Sequence, residues 1–121
     1  RCTACGTEPV WHEDLTVEPA CPHCGHGGGM RPDVVWFGEM PKHLEAIDEA
    51  LADADLFVAI GTSGAVYPAA GYVAQARAFG IPTLALTLEA ADNAGMFEAS
   101  RLGPASATVP AFVDEILSGR V

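Results

Sequence analysis

The sequence predicts an α/β fold: a parallel sheet with helices, joined to a small four-cysteine zinc-ribbon module. Two observations predict it. The only four cysteines of the 121-residue chain form two Cys-x-x-Cys pairs near its start. After them, short apolar runs alternate with amphipathic segments, and a strand–helix–strand order with crossovers of this length implies parallel pairing in right-handed βαβ units. Half of the residues are hydrophobic, which is enough for a packed core.

The cysteine pairs predict a tetrahedral four-thiolate zinc site. Fifteen residues separate Cys2 and Cys5 from Cys21 and Cys24, so two knuckles can close on opposite sides of one ion. Four thiolates leave no position for water or substrate, so the metal should hold structure and do no chemistry. Two disulfides or a pair of redox dithiols are the alternatives. With no secretory signal visible and no further cysteine, we expect zinc and a cytoplasmic location.

The module should occupy residues 1–30, and the remaining elements follow from hydrophobic pattern and turn residues. Leu44, Ile47 and Leu51 fall on one helical face. Pro68 suits the first turn of a helix, and Gly80 suits its end. In chain order, the predicted elements are a short buried strand at 33–37, a helix at 42–54, a strand at 55–60, a helix at 68–77, a strand at 81–88 and a helix at 110–117.

Charge and hydropathy disfavour two classes of partner. The formal net charge is −10 and only six residues are Lys or Arg, which disfavours binding to nucleic acid phosphates. The longest uncharged run, residues 56–76, is broken by Gly61–Gly64 and by Pro68, so it does not predict a membrane span. We therefore expect neither nucleic acid nor membrane as a partner.

The loops that follow the predicted strands are the candidate binding segments, because ligands of open parallel sheets bind beyond the carboxyl ends of the strands. The loop Gly61-Thr62-Ser63-Gly64 offers backbone N–H groups and two hydroxyls, which suit a phosphate or a ribose. It is also compatible with an ordinary turn, and it lacks the Gly-x-Gly-x-x-Gly fingerprint. Catalysis by the histidines is not expected, since no zinc-protease spacing relates His12, His23, His26 and His43.

Several motifs, in order, resemble those of the sirtuins, the NAD-dependent protein lysine deacylases, and in particular their bacterial and mitochondrial desuccinylase-like (class III) branch. The resemblance covers the whole chain. Its motifs are the two cysteine pairs, Arg31-Pro32-Asp33-Val34-Val35-Trp36-Phe37-Gly38-Glu39, Gly61-Thr62-Ser63 and Val66-Tyr67-Pro68-Ala69-Ala70.

The resemblance implies a role for each matching segment. Residues 31–121 would be the carboxyl-terminal part of a Rossmann-like NAD-binding domain, and Cys2, Cys5, Cys21 and Cys24 would hold the zinc of the small domain. The residues implied in NAD binding are Gly61, Thr62, Ser63, Thr87, Leu88, Glu89 and Ala105. An acyl-lysine peptide would bind as an added strand, and the residues implied for it are Val35, Phe37, Gly38, Glu39, Val66 and Tyr67.

The same resemblance implies what this chain lacks. The general base of the family is a His upstream of the first cysteine pair, which would fall before Arg1. We therefore expect no catalytic residue in this chain, a missing amino-terminal half as its partner, and no activity for the chain alone. The alternative from the residues is a zinc-ribbon interaction module on a non-catalytic α/β scaffold, and a thiol redox protein is a third interpretation.

Overall fold

The computed structural model describes residues 1–120 and contains two units, Arg1–Lys42 and a second that begins at His43. Residues 31–42 thus share contacts with the cysteine-containing segment. The predicted domain boundary after residue 30 stays a prediction. Among the described residues, no helix combines the length and the apolar character that a bilayer crossing needs.

The first unit has almost no regular secondary structure. Two isolated antiparallel bridges, Cys2↔Met30 and Ala20↔Gly27, hold the ends of its loops together. Each cysteine pair is followed by a glycine in the left-handed region, at φ +74° for Gly6 and +73° for Gly25. A side chain disfavours this conformation, so the glycine lets each knuckle turn back on itself.

Over residues 43–120, the second unit contains three α-helices and a parallel three-stranded sheet in the order β1-β2-β3. A short 3₁₀ turn, Ala69–Gly71, leads into the second helix, and another, Ala94–Met96, precedes the third strand. The elements are α1 Leu44–Ala52, β1 Phe57–Ile60, α2 Tyr72–Ala78, β2 Thr83–Thr87, β3 Ala99–Leu102 and α3 Ala105–Leu117. The predicted α/β class with a parallel sheet is confirmed.

The core of the second unit is built on both faces of the central strand β2, whose five residues are all buried. Leu84 and Leu86 pack against Phe112 of α3 on one face. Ala85 packs against Val73 of α2 on the other face. Because side chains alternate along a strand, a continuous apolar run is what a strand covered by helices on both sides requires.

The predicted strand at 33–37 is wrong. The segment is irregular, and its apolar side chains are exposed, with Phe37 93% accessible. A strand needs a neighbour to complete its backbone hydrogen bonds, and no strand pairs with this segment within residues 1–120.

The last part of the chain also differs from the prediction. The third helix begins at Ala105, five residues before the predicted start at Pro110, which lies inside the helix. Pro110 has no N–H to donate, so one helical hydrogen bond is lost there. Strand β3 was not predicted, because Ser100 and Arg101 interrupt its apolar pattern.

The loops after β1 and β2 are clamped together. The backbone N–H of Asp92 donates to the carbonyl of Ser63 at 2.8 Å. The side-chain amide of Asn93 donates to the carbonyl of Ala70 at 3.0 Å, and its buried Oδ1 has no hydrogen-bond partner among the described residues. A Cβ added at Gly64 would lie 1.9 Å from that oxygen. The loop that begins at Gly61 is therefore held in place by the next loop along the chain.

We predict that Gly64→Ala destabilises the protein more than the matched change Gly80→Ala. Both glycines have positive φ, +68° and +76°, so each alanine incurs a left-handed backbone cost of about 1–2 kcal/mol. Only at Gly64 does the new methyl also collide with Asn93, since Gly80 has open space around it. The free energies of unfolding in urea measure the difference.

In an Asn93→Ala background, Gly64→Ala should cost only as much as Gly80→Ala, because the new methyl no longer meets the Asn93 side chain; the reference is Asn93→Ala alone, which loses the hydrogen bond to Ala70. Equal losses for the two single variants would contradict the clamp.

Candidate functional site

The four cysteine sulfurs of the first unit converge on one point. Their Sγ atoms all lie within 4.8 Å of one another. The Sγ–Sγ distance is 3.8 Å both for Cys2 with Cys24 and for Cys5 with Cys21. A zinc ion bonded to four sulfurs at about 2.3 Å in a tetrahedron sets neighbouring sulfurs about 3.8 Å apart, whereas a disulfide needs about 2.05 Å. The residues present therefore fit zinc.

The electrostatics of the cluster also favour a cation. Backbone hydrogen bonding with Cys5 lowers the pKa of the Cys2 thiol to about 6. For Cys24, a backbone hydrogen bond with His26 acts in the same direction. The neighbouring thiols, led by Cys5, and burial outweigh it and raise the pKa of Cys24 to about 12. Closely packed thiolates repel one another unless a cation neutralises them, so the opposed pKa shifts of these two thiols favour a bound cation.

The backbone around the sulfurs fixes this arrangement. In each knuckle the N–H of the following glycine donates to the carbonyl of the first cysteine, at 3.0 Å for Gly6 and at 2.8 Å for Gly25. The N–H of His23 points at the sulfur of Cys21 at 3.4 Å. Cys2 and Cys21 are buried, while the second cysteine of each pair is exposed. None of the four histidines belongs to the sulfur cluster.

In the second unit, the ends of the three strands meet at one edge of the sheet. The N–H of Gly61, just after β1, donates to the carbonyl of Leu86 in β2 at 2.9 Å. The N–H of Gly103, just after β3, donates to the carbonyl of Thr87 at 2.9 Å. Since all three strands are parallel, the segments that follow them occupy the same edge.

The structure brings the residues implied in NAD binding to this edge. Thr62 and Ser63 are exposed in the loop after β1, and Leu88 and Glu89 are exposed after β2. Ala105 is the first residue of α3. Thr87 is the exception, since it is only 4% accessible at the end of β2. Sequence reasoning missed the Asp92–Asn93 clamp on this loop, because no local motif marks it.

The residues implied in peptide binding are mostly exposed in both units. In the first unit, Val35 is 43% accessible and Gly38 has a φ of +86°. In the second unit, Val66 and Tyr67 are also exposed, immediately before the 3₁₀ turn. Exposed apolar side chains of this number suit contact with a ligand.

Glu39 is the one implied peptide residue whose side chain is engaged within the chain. The guanidinium of Arg31 forms a two-pronged ion pair with its carboxylate, and the backbone N–H of Trp36 also donates to it at 3.1 Å. Arg31 and that N–H together lower the pKa of Glu39 to about 2. The carboxylate is therefore ionised and occupied at neutral pH.

Comparisons with known proteins agree with these features. The model of the Sir2 family matches residues 1–68. The chain is 49% identical over 120 residues to an NAD-dependent protein deacylase of Caulobacter vibrioides, covering 98% of this chain and 50% of that protein. It is 48% identical over 118 residues to the NAD-dependent protein deacylase SIR2rp3 of Leishmania major, covering 97% of this chain and 49% of that protein.

Solved structures give the same result. A Sir2 homologue in complex with NAD is 27% identical with a TM-score of 0.85, covering 100% of this chain and 48% of that one. A mutant Sir2 homologue in complex with ADP-ribose is 28% identical with a TM-score of 0.84, covering 98% of this chain and 49% of that one. The chain thus spans about half the length of the curated relatives and structures that it matches.

The paired cysteines, the converging strand ends and the match over residues 1–68 have one explanation: the chain belongs to the Sir2 family.

Proposed function

We propose that this chain acts as the carboxyl-terminal half of an NAD-dependent protein lysine deacylase. In this role it supplies the structural zinc site, part of the NAD site and part of the clamp for the acyl-lysine peptide. The observation that carries the proposal is the shared edge of the sheet, where the loop Gly61–Ser63, the end of β2 and the start of α3 meet.

The edge has the chemistry that a dinucleotide needs. The exposed hydroxyls of Thr62 and Ser63 and the backbone groups of the same loop suit phosphate and ribose oxygens. Glu89 is exposed after β2, where a carboxylate can accept hydrogen bonds from ribose hydroxyls. The clamp from Asp92 and Asn93 holds this loop before any ligand arrives, which reduces the entropy cost of binding.

The metal centre suits a structural role. Zinc bound by four thiolates offers no open coordination position, so it would not activate water or polarise an acyl group. The residues that would hold it are Cys2, Cys5, Cys21 and Cys24. Such a site needs reduced thiols, which is consistent with the proposed cytoplasmic location.

The proposed peptide contacts account for the exposed apolar residues. A Sir2 protein related to this one in structure, at 31% identity and a TM-score of 0.72, is bound to a myristoylated histone peptide. By the family resemblance, Val35 and Phe37 in the first unit and Val66 and Tyr67 in the second unit are each assigned to binding of the acyl-lysine peptide. The backbone carbonyl of Val35 would accept a hydrogen bond from the acyl-lysine amide.

The division of the reaction follows from the family. NAD would supply the ADP-ribose that accepts the acyl group, nicotinamide would leave, and one water molecule would complete the transfer as the lysine amine is released. The chain's own residues would bind and orient the two substrates. Proton transfer from the ribose is assigned to a histidine of the amino-terminal half, which is the proposed partner of this chain.

Zinc binding is tested by Cys21→Ser. Three thiolates and a hydroxyl hold zinc far less tightly than four thiolates, and structural zinc contributes about 10–16 kcal/mol of apparent binding free energy in small peptides. We expect the variant to lose its zinc and the tertiary order of residues 1–42, as measured by elemental analysis and near-ultraviolet circular dichroism.

The matched control is His23→Ala, which lies between two of the cysteines but outside the cluster and should retain one zinc per chain. If Cys21→Ser bound zinc as tightly as the parent chain, the four-sulfur assignment would be wrong.

The activity is tested by a chimera in which this chain replaces the matching half of the Caulobacter vibrioides deacylase. We expect deacylation that requires both NAD and acyl-peptide, because the chimera joins the proposed base to the loops of this chain. Purified chain alone should show none.

Turnover by the isolated chain would refute the assignment of the base to the other half. A folded, zinc-loaded chimera without NAD-dependent turnover would refute the deacylase proposal and favour the interaction module. The same chimera carrying Gly80→Ala shows how far a loss of stability alone lowers the NAD-dependent turnover.

A further inference from the structure

We propose that Arg31 is a positioning residue that couples the zinc site to the peptide-binding segment, so that zinc occupancy sets the conformation of residues 33–39. The conformational part stands on the first unit alone. The consequence for the acyl-peptide rests on the proposed function.

The guanidinium of Arg31 contacts three points of the segment at once. It pairs with both carboxylate oxygens of Glu39, at 2.5 Å from Nη1 to Oε1 and at 3.0 Å from Nη2 to Oε2. Nη2 also donates to the carbonyl of Val34 at 2.9 Å. The same group stacks on the ring of Trp36, with its central carbon 3.9 Å from the ring centroid. One side chain therefore fixes the start, middle and end of the segment.

The backbone of Arg31 belongs to the metal site. Its N–H donates to the carbonyl of Arg1 at 2.9 Å, and the N–H of Thr3 donates to the carbonyl of Gly29 at 2.8 Å. These two bonds flank the bridge between Cys2 and Met30. A metal that fixes the buried Cys2 sulfur therefore also fixes the backbone from which the Arg31 side chain extends.

Asp33 anchors the start of the segment, because Lys42 pairs with its carboxylate oxygens at 2.7 and 2.5 Å and Arg1 lies 3.9 Å from it. Residues 34–38 have little besides Arg31 to hold them. Within the described residues the segment lies in no strand, and Val34, Val35, Trp36 and Phe37 are all exposed, so packing contributes little. Its one other internal restraint joins Trp36 and Glu39, whose backbone and side-chain groups exchange hydrogen bonds at 3.0 and 3.1 Å. Both this restraint and the Arg31 ion pair therefore depend on the same residue, Glu39.

Arginine is required for this combination of contacts. Its planar fork matches both oxygens of a carboxylate while its face stacks on an aromatic ring, whereas a lysine ammonium is a single point charge. Isolated surface ion pairs contribute little, but the Arg31 side chain is only 14% accessible and makes its contacts simultaneously. Both oxygens of Glu39 are occupied, so we assign Glu39 to holding the segment through Arg31 and not to direct contact with substrate.

The conformational test uses Trp36 as the reporter. The chain has two tryptophans, so Trp11→Phe leaves Trp36 as the sole tryptophan, whose emission is excited selectively over that of tyrosine. In that background, we expect Arg31→Lys to keep one zinc per chain and to increase quenching of Trp36 by acrylamide. Chelation of zinc should raise quenching in the parent chain to the same level and should add little in Arg31→Lys.

The chain offers a matched control. Arg101 forms the same two-pronged pair with Glu115, at 2.9 and 2.7 Å, and lies over the ring of Phe112, but it belongs to the second unit. Arg101→Lys should leave Trp36 quenching and its response to zinc unchanged. Glu39→Gln disrupts the same two-pronged ion pair at the carboxylate. If Arg31→Lys folds poorly, Glu39→Gln takes its place in the experiment and should give the same result.

Unchanged Trp36 quenching in both Arg31→Lys and Glu39→Gln, or a full response to chelation in either, would overturn the coupling. In the active chimera, we expect Arg31→Lys to raise KM for the acyl-peptide at least about tenfold and to leave KM for NAD and kcat near the parent values. An unchanged peptide KM would overturn the substrate consequence. The quenching result does not depend on activity, so an inactive chimera refutes the proposed function without affecting the coupling.

Discussion

The mutual repulsion of four thiolates around one point is the constraint on which the first unit depends. Its buried core consists of Cys2, Cys21 and Met30, with Leu15 packed against them. Units of about 40 residues seldom bury enough apolar surface to fold without a metal, a disulfide or a partner. Zinc would neutralise the thiolates and hold both knuckles closed. It would thereby supply the stability that so small a hydrophobic core does not.

The second unit has no such dependence. Its three buried clusters surround the sheet, and Phe57 stacks on Phe97 with ring centroids 6.2 Å apart. A sheet packed on both faces provides a rigid base for the loops at its edge, and rigid placement is what a binding site for a flexible dinucleotide needs. The two units thus differ in what stabilises them: the first would depend on a metal, and the second depends on hydrophobic packing.

The sequence predicted those features that depend on local spacing. Two residues between paired cysteines, and continuous apolar runs beside a glycine, are local patterns, so they predict the metal cluster and the strands β1 and β2. The segment 33–37 has the same apolar character but pairs with no strand within residues 1–120, and local pattern cannot reveal a partner. Asn93 lies far along the chain from Gly64, and the Arg31 network, although it joins residues close in the chain, is marked by no local motif, so both became visible only in the folded structure.

X-ray absorption at the zinc edge of the metallated protein tests the central claim most directly, because it counts the atoms bound to the ion. The account predicts four sulfur neighbours at about 2.3 Å and no nitrogen or oxygen in the first coordination sphere. Fewer than four sulfurs, or a nitrogen or oxygen neighbour at about 2.0–2.1 Å, would mean an open or differently composed site. It would contradict the closed thiolate centre that organises residues 1–42.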